Sequence, residues 1–269
     1  MGRDERVEAF RKLHQLGILV LPNAWDAASA RVFEEAGARA IATTSAGVAA
    51  VHGYPDGNHL PRELAVAAVE RIARAVRVPV TADIEAGYGR SVDEVCETVR
   101  GVIGAGAVGI NLEDGREAPG VLAAKLEAIR GLAARERSDL FVNARIDLYL
   151  NGAPATPESL AEALQRAALY TEAGADSLFI PALADVSDLR AFCAAVSLPV
   201  NALAVPGLPS PAELARIGVR RLSVGSGAMR AALSFARRLA VNLLERGEYG
   251  GFFEGVLSHR ETNALFERP

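Results

Sequence analysis

Eight short apolar runs recur along the chain, separated by longer segments with helical spacing, and this alternation limits the fold more than any other feature. The runs are GILVLPNAW (17–25), RAIATTS (39–45), VPVTADIE (78–85), VGINLED (108–114), LFVNARID (140–147), SLFIPA (177–182), LPVNALA (198–204) and RLSVGS (221–226). Each opens almost continuously apolar instead of alternating, as parallel strands buried on both faces do. The segments between them, such as PRELAVAAVERIARAV (61–76) and PESLAEALQRAALYTEAGA (157–175), repeat their apolar residues at helical intervals, and several end in Gly just before the next strand. Pro61 and Pro157 stand where a first helical turn should begin. Eight strand–helix units predict an α/β fold, a closed parallel (β/α)8 TIM barrel, with residues 1–269 as a single domain. An open doubly wound sheet is the alternative. It calls for a glycine-rich turn after the first strand, and LPNAWDAAS is no such turn; GVIGAGAVG closes a helix instead of opening one. Beyond the eighth helix, residues 251–269 carry Phe252, Phe253, Val256, Leu257, Leu265 and Phe266. A closed barrel has little room for another apolar segment, so this tail is read as a subunit contact, with packing on its own barrel as the alternative.

Composition removes several function classes. Half of the 269 residues are apolar, enough for a large core, and the formal net charge is −4. No basic stripe fits a nucleic acid, and no apolar run reaches the ~18 residues of a membrane span. The charged start, MGRDERVEAF, has no apolar signal region and MGRDER lacks a myristoylation Ser/Thr. The two cysteines, Cys96 and Cys193, lie far apart in helix-like stretches and read as reduced structural thiols of a cytoplasmic protein. Lysine occurs only at 12 and 125, on no strand, which argues against Schiff-base chemistry; no Cys ends a strand, which argues against a thiolate nucleophile.

Barrel active sites form at the carboxyl ends of the strands, where this chain is acidic. Asp83 and Glu85 end the third run, Asn111, Glu113 and Asp114 the fourth, and Asn143, Arg145 and Asp147 the fifth. Asn201 lies on the seventh, and Asp56 on the long loop after the second. Two residues apart, Asp83 and Glu85 are expected on one strand face, as are Asn111 with Glu113. Crowded like charges repel, and a hard divalent cation would resolve this. Mg²⁺ takes oxygen ligands, keeps several waters and uses few direct carboxylates. Asp83 is the candidate direct ligand, with Glu85, Glu113 and Asp56 acting through water, and Arg145 offers a fork for a substrate carboxylate. The competing reading is a ring of structural ion pairs, Arg145 with Glu113 for example. A zinc site from His52, Asp56 and His59 is a weaker alternative.

LPNAWDAASARVFEEAGARAIATTSAGVAAVHGYPDG, VPVTADIEAGYG, GAVGINLEDG and FVNARID together resemble the isocitrate lyase/phosphoenolpyruvate mutase superfamily, and most of all its small phosphonomutase-like members. The resemblance runs from about residue 15 to 230 in order and spacing. It implies a barrel whose eighth helix is swapped between paired subunits in a homotetramer, a dimer of dimers. It also implies Mg²⁺, with Mn²⁺ as a substitute, and a small 2-oxo acid or its enolate. By position, Asp83 looks like the family's direct metal ligand and Asp56, Glu85 and Glu113 like its water-mediated ones. Ser45, Ala46, Gly47 and Val48 look like the carboxylate-binding loop, and Arg145 like the substrate arginine. Glu85 stands where an aspartate is commoner. The Lys-Lys-Cys-Gly-His segment of the family's lyases is absent, and EDGREAPGVLAAK (113–125) lacks the mutase's asparagine-bearing lid.

What remains is metal-assisted enolate stabilisation. The chain is therefore expected to be a Mg²⁺-dependent lyase or hydrolase that cleaves a C–C bond of a small 2-oxo or 2-hydroxy acid. Arg145, Glu113 and Tyr88 are the candidate catalytic residues, with Arg116 and Glu117 further acid–base candidates; Asp83 and Asn201 join the substrate-binding set. Phosphonopyruvate-type C–P chemistry, with Arg116 or Lys125 holding a phosphonate, is the alternative, as is a barrel that binds a 2-oxo acid without turnover.

Overall fold

The computed structural model describes residues 2–267. All its strands are parallel, in the order β1-β9-β8-β7-β6-β5-β4-β3-β2. The first expected run forms two strands, β1 (Leu19–Leu21) and β2 (Asn23–Ala24), because Pro22 lies between them and has no N–H to donate. β1 pairs with β9 (Val219–Ser223) and β2 with β3 (Ile41–Thr43), so this split strand joins the two ends of the sheet. The Pro22 carbonyl still accepts from the Ala42 N–H at 3.0 Å. Nine strands thus make eight staves, and the barrel expectation holds against the open sheet.

Helices fill the outer layer. α4 (Arg62–Ala75), α5 (Val92–Gly104), α6 (Pro119–Glu136) and α7 (Pro157–Glu172) follow their strands in turn. Their entries follow capping chemistry: Ser91 accepts from the Glu94 N–H, and Pro157 occupies the first turn of α7 behind the cap Thr156. Pro61 is itself the residue before α4, one position earlier than the spacing implied. Helix α1 (Arg3–Leu13), in a segment read from sequence only as a charged start, closes the amino-terminal end of the barrel. Its Phe10 meets Phe141 edge-on at 5.2 Å, and His14, just past the helix, stacks on the same ring at 4.3 Å.

The barrel interior is unusually polar for a position normally filled by branched aliphatics. Asn111 and Asn143, on β5 (Gly109–Glu113) and β6 (Phe141–Arg145), stand opposite each other in register, and Ser177, on β7 (Ser177–Phe179), stands opposite Asn143. All three are buried. Ser177 Oγ donates to Asn143 Oδ1 at 2.6 Å, and Asn143 Nδ2 donates to Asn111 Oδ1 at 2.9 Å. Buried amides are tolerated because they satisfy one another.

The carboxyl-terminal region is less embedded. Along α10 (Gly227–Arg246) only Met229 is buried, while Leu233, Phe235, Leu243 and Leu244 are exposed. In the tail, Phe252, Phe253, Val256, Leu257 and Phe266 are exposed, whereas Leu265 is buried and its carbonyl accepts from Arg31 Nε. Residues 268 and 269 of the expected tail lie outside the described residues. Among the described residues no helix is long and apolar enough to cross a membrane.

Candidate active site

Strand β4 (Val80–Asp83) delivers Asp83 to the mouth of the barrel. Its backbone N–H donates to Thr43 Oγ1 at 2.8 Å. Its Oδ2 accepts from the Ser45 N–H at 3.2 Å and from Ser45 Oγ at 2.9 Å. Oδ1 is buried and has no hydrogen-bond partner among the described residues. An unsatisfied carboxylate oxygen in a buried position is costly and invites a ligand.

Glu85 is close to Asp83, but not for the expected reason. The strand ends at Asp83, and Glu85 adopts φ +51, in the left-handed region, so the two do not share a strand face. Gly87 and Tyr88 are left-handed too. A Cβ on Gly87 would lie 2.7 Å from Val95 Cγ2, so this tight turn requires glycine there. The turn folds Glu85 inward, where Oε1 accepts from the Tyr88 hydroxyl at 2.9 Å and Oε2 accepts from the Asn58 N–H. Burial raises the Glu85 carboxyl above the usual range, with Asp56 and Asp83 adding to the rise against those hydrogen bonds. Asp56 itself stands on the exposed loop, within electrostatic reach of Glu85.

Glu113 and Arg145 stand opposite each other in register and pair, Arg145 Nη1 to Glu113 Oε2 at 2.6 Å. The ion pair that served as the competing reading is therefore present. Arg145 is also held by Asp147, Nε to Oδ1 at 2.6 Å and Nη2 to Oδ2 at 3.1 Å. The Nε/Nη2 fork expected to receive a substrate carboxylate thus already grips Asp147, and the guanidinium lies over the Phe179 ring at 5.8 Å. Burial pushes the Glu113 carboxyl up to about 8; Arg145 opposes this, while Asp83, Asp147 and Glu85 reinforce it. Asp83, Glu85, Asp147 and the Arg145 guanidinium thus all act on Glu113, and carboxylates buried together against a single cation are the dominant feature of the site.

Beneath this cluster sits Arg221 on β9, fully buried, donating from Nη2 to Asn111 Oδ1 at 3.1 Å. Asn201, on β8 (Val200–Leu203), is its register neighbour and is also fully buried, so it lies in the barrel wall rather than open at the mouth. In α3 (Ser45–Val51), Ser45, Gly47 and Val48 are buried and Ala46 is half-buried. A Cβ on Gly47 would lie 2.6 Å from Trp25 Cβ, so this loop can pass Trp25 only as glycine. Arg116 is on an exposed turn. Lys125 is buried and spent: its Nζ donates to Ala86 O at 3.2 Å and pairs with Glu117 at 2.8 Å, tying the β5–α6 turn to the Glu85 turn. Among the described residues no three His, Cys, Asp or Glu side chains converge into a preformed metal cage, His52, Asp56 and His59 included.

Asp114, expected from sequence among the polar residues at the mouth, has a different place. Asp114 points away from the mouth, behind the strand, and is almost wholly buried. It accepts from the Asp147 N–H at 2.8 Å, Tyr170 Oη at 2.7 Å and Arg166 Nη1 at 2.8 Å. This fixes the backbone that presents Asp147 to Arg145. Arg166 and Tyr170, one helical turn apart on α7, are the only sequence sign of it.

A family model described as phosphoenolpyruvate phosphomutase matches residues 10–244, and the chain belongs to that family. An uncharacterized protein of Mycobacterium tuberculosis H37Rv is 37% identical over 245 residues, covering 89% of this chain and 90% of its own. A crystal structure from Burkholderia cenocepacia J2315, provisionally assigned as a phosphonomutase, is 42% identical with a TM-score of 0.84, covering 88% of this chain and 99% of that one. The 2,3-dimethylmalate lyase of Eubacterium barkeri is 35% identical over 179 residues, 61% of this chain and 58% of the lyase. The superfamily expected from the motifs is thus the one found, and its named members are lyases and mutases.

Replacing Asp114 by Ala should leave the Tyr170 hydroxyl and the Asp147 N–H without an acceptor and Arg166 with Glu162 as its carboxylate partner. Loss of one partner from a buried pair costs about 3–5 kcal/mol, and urea unfolding should register that loss; a change below about 1 kcal/mol, the scale of an exposed pair, would contradict the role assigned to this clamp.

Proposed function

We propose that the chain is a Mg²⁺-dependent lyase or hydrolase cleaving a C–C bond of a small 2-oxo or 2-hydroxy carboxylic acid. The observation that carries this reading is the unpartnered Asp83 Oδ1 within a ring of four carboxylates and one guanidinium. The donor set is all oxygen, which suits a hard divalent cation, and one direct carboxylate with others acting through water is how Mg²⁺ is usually held. Asp83 Oδ1 would be the direct ligand, with Glu85, Glu113 and Asp56 reaching the ion through its waters. A bound divalent cation supplies Lewis-acid charge at the 2-oxo group, where negative charge develops as the bond β to it breaks.

The residues of the chain then divide the remaining work. Arg145, held by Asp147 through Nε and Nη2 and by Glu113 through Nη1, would offer a substrate carboxylate the second N–H of each Nη. The Ser45–Val48 turn lies beside Asp83, which already takes the Ser45 N–H and hydroxyl, and would supply the backbone N–H groups that follow Ser45 to the same carboxylate, with Asn201 contributing from the wall. Glu113, with its raised pKa, can carry a proton near neutral pH and is suited to proton transfer, whereas burial and the neighbouring Glu85 push the Tyr88 hydroxyl well above the usual phenol range, so Tyr88 would act by holding Glu85. The C–P alternative needs cationic groups for a phosphonate. Lys125 is buried and occupied by Glu117 and Ala86 O, and Arg116 faces solvent, so C–C cleavage is favoured.

The exposed apolar face of α10 and the tail support a subunit-exchanging assembly in which α10 covers a neighbouring barrel, in pairs that form a tetramer. The free thiols Cys96 and Cys193 fit a cytoplasmic setting.

Calorimetric titration of oxalate, a planar enolate mimic, tests the site. Binding should require Mg²⁺ and weaken at least about a hundredfold in Asp83→Ala, the loss of one buried charge interaction of about 3 kcal/mol; binding indifferent to Mg²⁺, or none, would reduce the carboxylates to structural ion-pair partners. Light scattering should return a tetramer, and a monomer would rule out the exchanged helix.

A further inference from the structure

Arg221 presents a problem that the proposed chemistry does not use. Its side chain is fully buried on the inner wall of the barrel. No carboxylate lies within ion-pair distance of it among the described residues; its Nη2 donates to the neutral Asn111 at 3.1 Å. Its Nε and Nη1 are buried without partners. A buried guanidinium without a contact anion is among the costliest groups a core can hold, and it persists only where something offsets it. Asn111 is the register neighbour of Asp83, so Arg221 lies directly below the carboxylate ring, and Asp83 is the anion whose field acts on it. The offset runs both ways. The ring carries more negative charge than Arg145 neutralises, and a fixed cation sits on its floor.

We propose that Arg221 is a positioning residue, a built-in counter-charge that holds the carboxylate ring together before metal binds and thereby lowers the affinity of the site for its divalent cation. This rests on the metal reading above. Through Asn111, and on through Asn143 and Ser177, the guanidinium is locked to the barrel wall, so its charge cannot swing away when a second cation arrives. The ion and Arg221 then compete for the same carboxylate field. The site would bind Mg²⁺ weakly and reversibly, and substrate arriving with its own negative charge would complete the neutralisation. At an effective dielectric of about 20, a unit charge roughly 10 Å from a divalent ion is worth well over tenfold in affinity.

The test titrates MgCl2 alone, with no substrate, into wild type, Arg221→Gln and Arg221→Lys, and records thermal unfolding with and without MgCl2. Gln removes the charge and keeps an amide donor for Asn111; Lys keeps the charge and loses the fork. Arg221→Gln should bind Mg²⁺ at least about tenfold more tightly, and its melting temperature should rise more on adding Mg²⁺ than that of wild type. Arg221→Lys should stay near wild type in affinity. Folding of Arg221→Gln only in the presence of Mg²⁺ would support the proposal as well. Wild-type affinity or weaker binding in Arg221→Gln would overturn it, as would equal changes in both variants or failure of both to fold with Mg²⁺, since each would leave Arg221 as a structural anchor for Asn111. If wild type itself binds no Mg²⁺, the metal reading falls and takes this inference with it; if wild type binds and Arg221→Gln binds no tighter, this inference alone fails.

Discussion

Four carboxylates crowd the mouth of the barrel around a single guanidinium that pairs with two of them, and much of the surrounding structure exists to tolerate them. Burial alone would favour protonation of such a group, and Glu113 shows it, its carboxyl lifted to about 8 even with Arg145 at 2.6 Å. Two buried acids side by side do not both ionise without compensation. The chain provides part of that compensation itself. Arg145 bridges Glu113 and Asp147, the Ser45 backbone and hydroxyl satisfy one oxygen of Asp83, and Tyr88 and Asn58 satisfy Glu85. Among the buried carboxylate oxygens of the described residues only Asp83 Oδ1 is left without a partner, and it is the atom from which a functional reading has to start.

The scaffold behind the mouth is correspondingly stiff. Asp114, facing the opposite way from Glu113, anchors Asp147 from behind and is itself anchored by Arg166 and Tyr170. Lys125 joins the two turns that carry Glu85 and Glu117. Asn23 closes the split first stave, its Oδ1 accepting from the Val224 and Gly225 N–H groups at 2.9 and 3.0 Å and its Nδ2 donating to Thr43 O. These contacts come from outer helices and inter-strand turns, so the site is held by packed elements instead of by its own loops, the arrangement that keeps reacting groups in register.

The barrel was legible in the sequence because buried parallel strands demand continuous apolar runs, and eight of them alternate with helices. The acidic cluster was legible for the same reason, since a carboxylate on the inward face at the end of such a run reaches the mouth, although the adjacent Asp114, at the end of the same run as Glu113, turns outward to α7 instead. The pairing of Asp83 with Glu85 was right in outcome and wrong in mechanism. Strand alternation would have placed them together, but the left-handed turn at Glu85, Gly87 and Tyr88 does so instead, and turn chemistry of that kind leaves only Gly87 and Gly89 as its trace. The split of the first strand was signalled by Pro22, inside a run read as continuous. Asp114, Asn143 and Arg221 were not legible as a set. Their partners lie 32 to 110 positions away, and the sequence offers no periodicity that connects a buried arginine on the last strand to an asparagine on the fifth.

The central claim is that a divalent cation belongs at Asp83. Crystals grown in Mn²⁺, with diffraction recorded for its anomalous signal, test it most directly. The account predicts an anomalous peak within bonding distance of Asp83 Oδ1, with Glu85 and Glu113 reaching it through water. A map with no peak there, in crystals whose carboxylates are otherwise arranged as described, would contradict the account and return Asp83, Glu113 and Arg145 to the role of structural ion-pair partners.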